Sequence, residues 1–191
     1  MSPEPTPSQT VGPFFHFALL DENSSELVPP DHPEAIRIEG TVYDGAGDPV
    51  SDAMVEIWQA NGAGRYNHPA DDRRDLPLEE GFSGFGRVGT DAGGRFSFVT
   101  LKPGPVRGPE ENPTGEQAPH IMVSVFARGL LKRAVTRIYF PGEDEANAAD
   151  PVLSSIDDPE LRESLVARDE GDVLRFDIHL QGEKQTAFFG L

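Results

Sequence analysis

Ile36-Arg37-Ile38-Glu39-Gly40-Thr41-Val42-Tyr43-Asp44 alternates apolar and polar residues, the mark of a strand buried on one face. Asp44-Gly45-Ala46-Gly47-Asp48-Pro49 follows as a turn. Outward from this hairpin signal the same grammar repeats. Strands are expected at 54–59, at 94–101 (broken by Pro103-Gly104), at 121–126, at 135–140 and at 174–180. Short strands between turn signals predict an all-β chain: a β-sandwich of mostly antiparallel strands with long loops and one or two short helices. One helix is expected at Asp157 to Ala167. Asp157 or Asp158 can cap it, Pro159 suits its first turn, and Leu161, Leu165 and Val166 share a face. The loops 62–93 and 102–117 are longer than ordinary connections, and such loops often carry function.

No internal repeat and no linker divides the chain, so 1–191 reads as a single domain. An extended N-terminal arm is expected at 1–20. Residues 1–13 are Pro-rich and unsuited to helix, and then Phe14-Phe15-His16-Phe17-Ala18-Leu19-Leu20 turns apolar. Two readings of the arm stay open: packing on its own domain, or docking on another subunit. The tail Ala187-Phe188-Phe189-Gly190-Leu191 is also apolar, and exposed together the two ends would form an interface patch.

The formal charge is −17, from 33 acidic and 16 basic residues. Such a chain repels phosphate backbones and anionic membrane surfaces, which argues against both as partners. The acidic clusters read first as solvated loops, so a small anionic ligand would depend on where the arginines lie. There is no cysteine, which excludes disulfides, thiolate nucleophiles and cysteine metal sites. With no signal peptide and no apolar run of membrane length in view, a cytoplasmic location is expected.

Chemistry is sparse. No GxSxG, P-loop, HExxH or strand-to-helix GxGxxG is present. The informative segment is Ala118-Pro119-His120-Ile121-Met122-Val123-Ser124-Val125-Phe126, a strand in which His120 and Met122 share a face. A His-X-His there would aim two imidazoles at one point. Met122 instead supplies a soft thioether, a poor ligand for ferric iron or zinc. A lone His on an apolar strand is ordinarily a satisfied core residue, and a lone Tyr66 in Gly64-Arg65-Tyr66 a structural one. Arg128, in Phe126-Ala127-Arg128-Gly129, ends the strand at a turn, where its fork suits a carboxylate or a surface salt bridge. Arg133 and Arg137 could share either role.

Ten segments resemble the intradiol ring-cleaving dioxygenases. They include Thr6-Pro7-Ser8-Gln9-Thr10-Val11-Gly12-Pro13-Phe14, Val55-Glu56-Ile57-Trp58-Gln59-Ala60-Asn61, Gly64-Arg65-Tyr66, Leu101-Lys102-Pro103-Gly104, Ala118-Pro119-His120 and Phe126-Ala127-Arg128-Gly129. The likeness is closest to the alpha chains of the two-chain members. In catalytic members ferric iron is held by two tyrosines and two histidines. Tyr66 and His120 match one of each, while Val106 and Met122 stand where the others belong. The resemblance therefore implies vestigial ligand positions, no catalytic residue in this chain alone, and no metal bound by it. It implies a beta chain as partner, carrying Fe(III), in a hetero-oligomer of αβ units that cleaves 3,4-dihydroxybenzoate with O2 to 3-carboxy-cis,cis-muconate. It also implies that Thr10, Gly12, Pro13, Phe14 and Arg128 of this chain line the substrate pocket. The alternative is a non-enzymatic β-sandwich binding module with a degenerate metal site.

Overall fold

The computed structural model describes residues 18–20, 24–108 and 115–190. Two sheets face each other. In the first, β1 (Ala35–Tyr43) pairs antiparallel with the seven-residue β4 (Arg95–Leu101) over its whole length. On the other side of β1 lie β10 (Leu174–Arg175) and β11 (Ile178–His179), both parallel to it, and β9 (Arg168–Asp169) closes against β10. The second sheet has the order β3 (Phe85–Gly89), β2 (Met54–Trp58), β7 (His120–Phe126), β8 (Ala134–Tyr139), antiparallel throughout. A small ribbon, β5 (Val106–Arg107) with β6 (Glu116–Gln117), sits before β7. Three short helices follow β8: α1 (Asp144–Ala149), α2 (Pro151–Ser154) and α3 (Pro159–Glu163).

The sandwich expected from the alternation is the fold observed. Its core is the inner face of both sheets: Ile38, Val42, Phe96, Phe98, Phe176 and Ile178 from one, Val55, Ile57, Ile121, Val123, Val125 and Ile138 from the other. Each such side chain stabilises the fold by roughly 1.5–3 kcal/mol when fully buried. A second, smaller cluster joins Ala118, Tyr139, Leu153 and Leu165 under the helices.

Four local expectations need correction. The helix expected at Asp157 to Ala167 stops at Glu163. Asp158 is the cap that forms, and its carboxylate accepts from the Glu160 N–H at 2.9 Å. Beyond it the backbone is captured by the β8 edge: Tyr139 N–H donates to Leu165 O at 2.8 Å and Ala167 N–H to Tyr139 O at 2.9 Å. Leu165 is then fully buried while Leu161 is exposed, so the two do not share a face. The stretch 62–93 is not all loop. It contains β3, whose Gly86 lies so close to Leu27 that a Cβ there would sit 2.6 Å from Leu27 Cδ1. A strand glycine of this kind marks close packing.

The strand expected at 174–180 is broken in two. Asp177 turns its side chain inward and accepts the Thr41 N–H at 3.1 Å, taking the place of a backbone acceptor. Gly40 makes room, since a Cβ there would meet Phe176 O at 1.9 Å. The tail does not stand free either: Phe189 N–H donates to Val135 O at 2.8 Å and Thr136 Oγ1 to Ala187 O at 2.8 Å. No helix of the described residues is long and apolar enough to cross a membrane.

Candidate functional site

Alternation along β7 sorts its side chains. Ile121, Val123 and Val125 enter the core, and His120 and Met122 face the other way. The register then lines up neighbours on that outer face. Trp58 of β2 and Arg137 of β8 both stand opposite Met122, and Tyr139 stands opposite His120. Trp58, Met122 and Arg137 therefore form one row across three strands.

Tyr66 and Val106 arrive from loops. Asn61 folds the first loop: its Oδ1 accepts from the Ala63 and Arg65 N–H groups at 3.1 and 2.9 Å, and its Nδ2 donates to Pro77 O at 2.9 Å. Gly64 has φ +78° and lies on the Gly104-Pro105 segment, where a Cβ would meet Pro105 O at 2.0 Å. Only glycine combines that approach with a positive φ. The contact sets Tyr66 beside the start of β5, where Val106 stands.

Trp58, Tyr66, Val106, His120, Met122 and Arg137 thus line one cleft of about 470 Å³, together with His68, Asp71, Asp72, Arg73, Arg107 and Gln117. The four positions that the resemblance pairs with iron ligands all meet there. Trp58 and Tyr66 stack at 5.6 Å. Asp71 clamps the Tyr66 loop. Its carboxylate accepts the Tyr66 N–H at 2.8 Å and chelates Arg73 at 2.6 and 2.9 Å. Those bonds to Arg73 hold its pKa well below the ordinary carboxylate range.

Tyr66 and His120 are set for neutrality. Burial raises the Tyr66 pKa, against the opposing pull of Arg137 and Arg73, so the phenol keeps its proton. His120 is buried, and its Nδ1 lies 2.8 Å from Ala118 O. A carbonyl only accepts, so Nδ1 carries the proton and Nε2 the lone pair. Burial, then Arg137, lower the His120 pKa from 6.5 to about 4. Arg137 donates to Gln117 Oε1 at 2.8 Å and to Tyr139 Oη at 3.1 Å, with Phe189 under its guanidinium at 5.7 Å.

The donor set does not fit ferric iron. It offers one phenol, one imidazole, a thioether and an aliphatic side chain, with a fixed guanidinium in the same row as Met122. Hard ferric iron needs more oxygen and nitrogen donors than that. Among the described residues no three His, Cys, Asp or Glu side chains converge.

Arg128 lies elsewhere. It is 70% exposed, paired with Asp52 at the far end of β7, roughly 20 Å of strand from His120. Beside it are Gly129, Leu130, Arg133 and Phe188. Thr10, Gly12, Pro13 and Phe14 fall outside the described residues.

Asp150 went unread in the sequence. It is fully buried and ties the helices to the start of β7. Its carboxylate accepts from the N–H groups of Ala118 (2.8 Å), Val152 (2.8 Å) and Leu153 (2.9 Å) and from Tyr139 Oη (3.1 Å). Asp150-Pro151 before Val152-Leu153 is a helix-start signal that could have found it.

The buried imidazole makes stability depend on pH. Between 6.5 and about 4 the unfolded chain binds a proton at residue 120 that the folded chain does not. Stability is therefore complete above 6.5 and falls as pH drops toward 4, by roughly 3 kcal/mol in order of magnitude. Burial displaces His179 the same way, so the comparison must be made against a variant. His120→Asn keeps an amide for Ala118 O and removes the titration. Denaturant melts from neutral to acid pH should show a clearly steeper loss for the parent chain; parallel curves would refute the assignment.

The family model described as Dioxygenase matches residues 12–182. The protocatechuate 3,4-dioxygenase alpha chain of Burkholderia cepacia is 42% identical, covering 96% of this chain and 96% of that one. The beta chain from the same organism is 42% identical over 80% of this chain and 67% of its own length. Among solved structures, the dioxygenase domain of a dioxygenase–carbohydrate-binding fusion from Streptomyces sp. SirexAA-E aligns with TM-score 0.53 and 27% identity, covering 94% of this chain and 99% of that one. Together with the sandwich fold, these likenesses show that the chain belongs to the intradiol ring-cleaving dioxygenase family.

Proposed function

We propose that this chain is the iron-free alpha subunit of a protocatechuate 3,4-dioxygenase. It pairs with a beta chain that holds Fe(III), in a cytoplasmic hetero-oligomer of αβ units. The assembly cleaves 3,4-dihydroxybenzoate between its hydroxyls with O2, giving 3-carboxy-cis,cis-muconate. The chain acts as one domain over 1–191. Its arm at 1–20, through Thr10, Gly12, Pro13 and Phe14, forms part of the wall of the beta chain's substrate pocket, and Arg128 faces the substrate carboxylate.

The observation that carries this reading is the cleft itself. Tyr66 and His120 share it with Val106, Met122 and the Arg137 guanidinium, and the first four are the positions that the resemblance pairs with iron ligands. The end-to-end likeness to an alpha chain supports the same conclusion and weighs against a free-standing binding module. Tyr66 and His120 serve the chain as packed, neutral groups: a phenol stacked on Trp58 and an imidazole bonded to its own strand.

Expression with and without a beta chain tests it. Alone, the chain should purify without stoichiometric iron and without a visible tyrosinate–iron band. Together, the two chains should cleave the ring and carry iron. A coloured, iron-replete single chain, or no association with a beta chain, would overturn the reading.

A further inference from the structure

We propose that the cleft around Arg137 in this chain binds a small aromatic carboxylate. The guanidinium is fixed without being neutralised. Its contacts are an amide oxygen of Gln117, the hydroxyl of Tyr139 and the ring of Phe189, all uncharged. Among the described residues no carboxylate forms an ion pair with it. The other cleft arginines already have carboxylate partners. Arg73 is chelated by Asp71, and the exposed Arg107 lies 3.5 Å from Asp72.

The surroundings select for a ring. Trp58 and Tyr66 offer aromatic surface, and Val106 and Met122 offer apolar surface. A cleft of about 470 Å³ lies in the usual range for small-molecule sites. An arginine fork in such a setting grips a carboxylate by two charge-assisted bonds, stronger than in open water. A chain of charge −17 has no general attraction for anions, so binding must come from this local arrangement.

Trp58 is the chain's only tryptophan and lines the cleft, so its fluorescence reports occupancy. The full-length chain is titrated with benzoate, with acetate (charge without ring) and with benzamide (ring without charge). Benzoate should saturate the signal at one per chain, and the two controls should bind at least about ten-fold more weakly. Arg137→Met should weaken benzoate by about ten- to a hundred-fold, and Arg137→Lys should recover part of the loss. Met122→Glu places a carboxylate opposite Arg137 and should also abolish binding, which decides the matter if Arg137→Met misfolds. If the chain purifies only with a beta chain, equilibrium dialysis should show one benzoate fewer per chain in either variant. No saturation by about 10 mM, equal binding of acetate and benzamide, or undiminished binding by these variants would overturn the proposal. Ring cleavage does not enter the readout, so the result stands apart from the subunit assignment.

Discussion

Asp150→Ala should cost on the order of 3–5 kcal/mol of folding stability, a large share of the roughly 5–15 kcal/mol that holds an ordinary domain folded. The carboxylate serves four donors at once, all within 3.1 Å. Two are the first N–H groups of α2, and losing a cap of this kind costs roughly 0.5–2 kcal/mol. The other two, Ala118 N–H and Tyr139 Oη, belong to buried residues, and each orphaned buried donor costs roughly 1–3 kcal/mol. Asp150→Asn keeps one acceptor oxygen and should lose less, on the order of 1–3 kcal/mol, because its amide group faces a donor. The loss also reaches the cleft. Ala118 carries the carbonyl that fixes the His120 tautomer, so a slack residue 118 frees the imidazole. Chemical denaturation of the three chains decides it: a loss below about 1 kcal/mol for Asp150→Ala would show that the four bonds are weak or replaced by water.

The short strands between turn signals, of which Ile36–Asp44 is the clearest, announced a sandwich, because a period of two is local and the core reads it directly. What the chain hid was non-local. Gly86 looks like a strand breaker until the neighbouring Leu27 explains why only glycine fits. Leu165 fits a helical stripe on paper, yet the open edge of β8 offers its backbone better hydrogen bonds than another helical turn. The site divides in the same way. The spacing of His120 and Met122 put them on one face at sight. Trp58 and Arg137 joined them through register, which depends on which strands pair and by how many residues. Tyr66 and Val106 meet because two glycine-bearing loops touch, and no periodicity encodes that. Family resemblance supplied those two positions where local physics could not.

Arg128→Ala should lower kcat/KM for 3,4-dihydroxybenzoate in the assembled enzyme by about ten- to a hundred-fold, with iron content unchanged. Among the described residues the guanidinium pairs with Asp52, and it is 70% exposed. An ion pair that open contributes at most about 1 kcal/mol, so the substitution should barely alter the chain's own stability. Facing a pocket in the assembly, the same fork would be partly desolvated, where a charge-assisted bond to the substrate carboxylate is worth roughly 1.5–3 kcal/mol. Catechol lacks that carboxylate and should lose far less. Arg128→Lys should restore only part of the rate, since an ammonium cannot offer the planar fork. Asp52→Ala gives an internal control: it releases the arginine from its present partner and should leave the preference for the carboxylated substrate in place. Equal losses on both substrates, or no loss on either, would show that Arg128 serves the turn after β7 and Asp52 rather than the substrate.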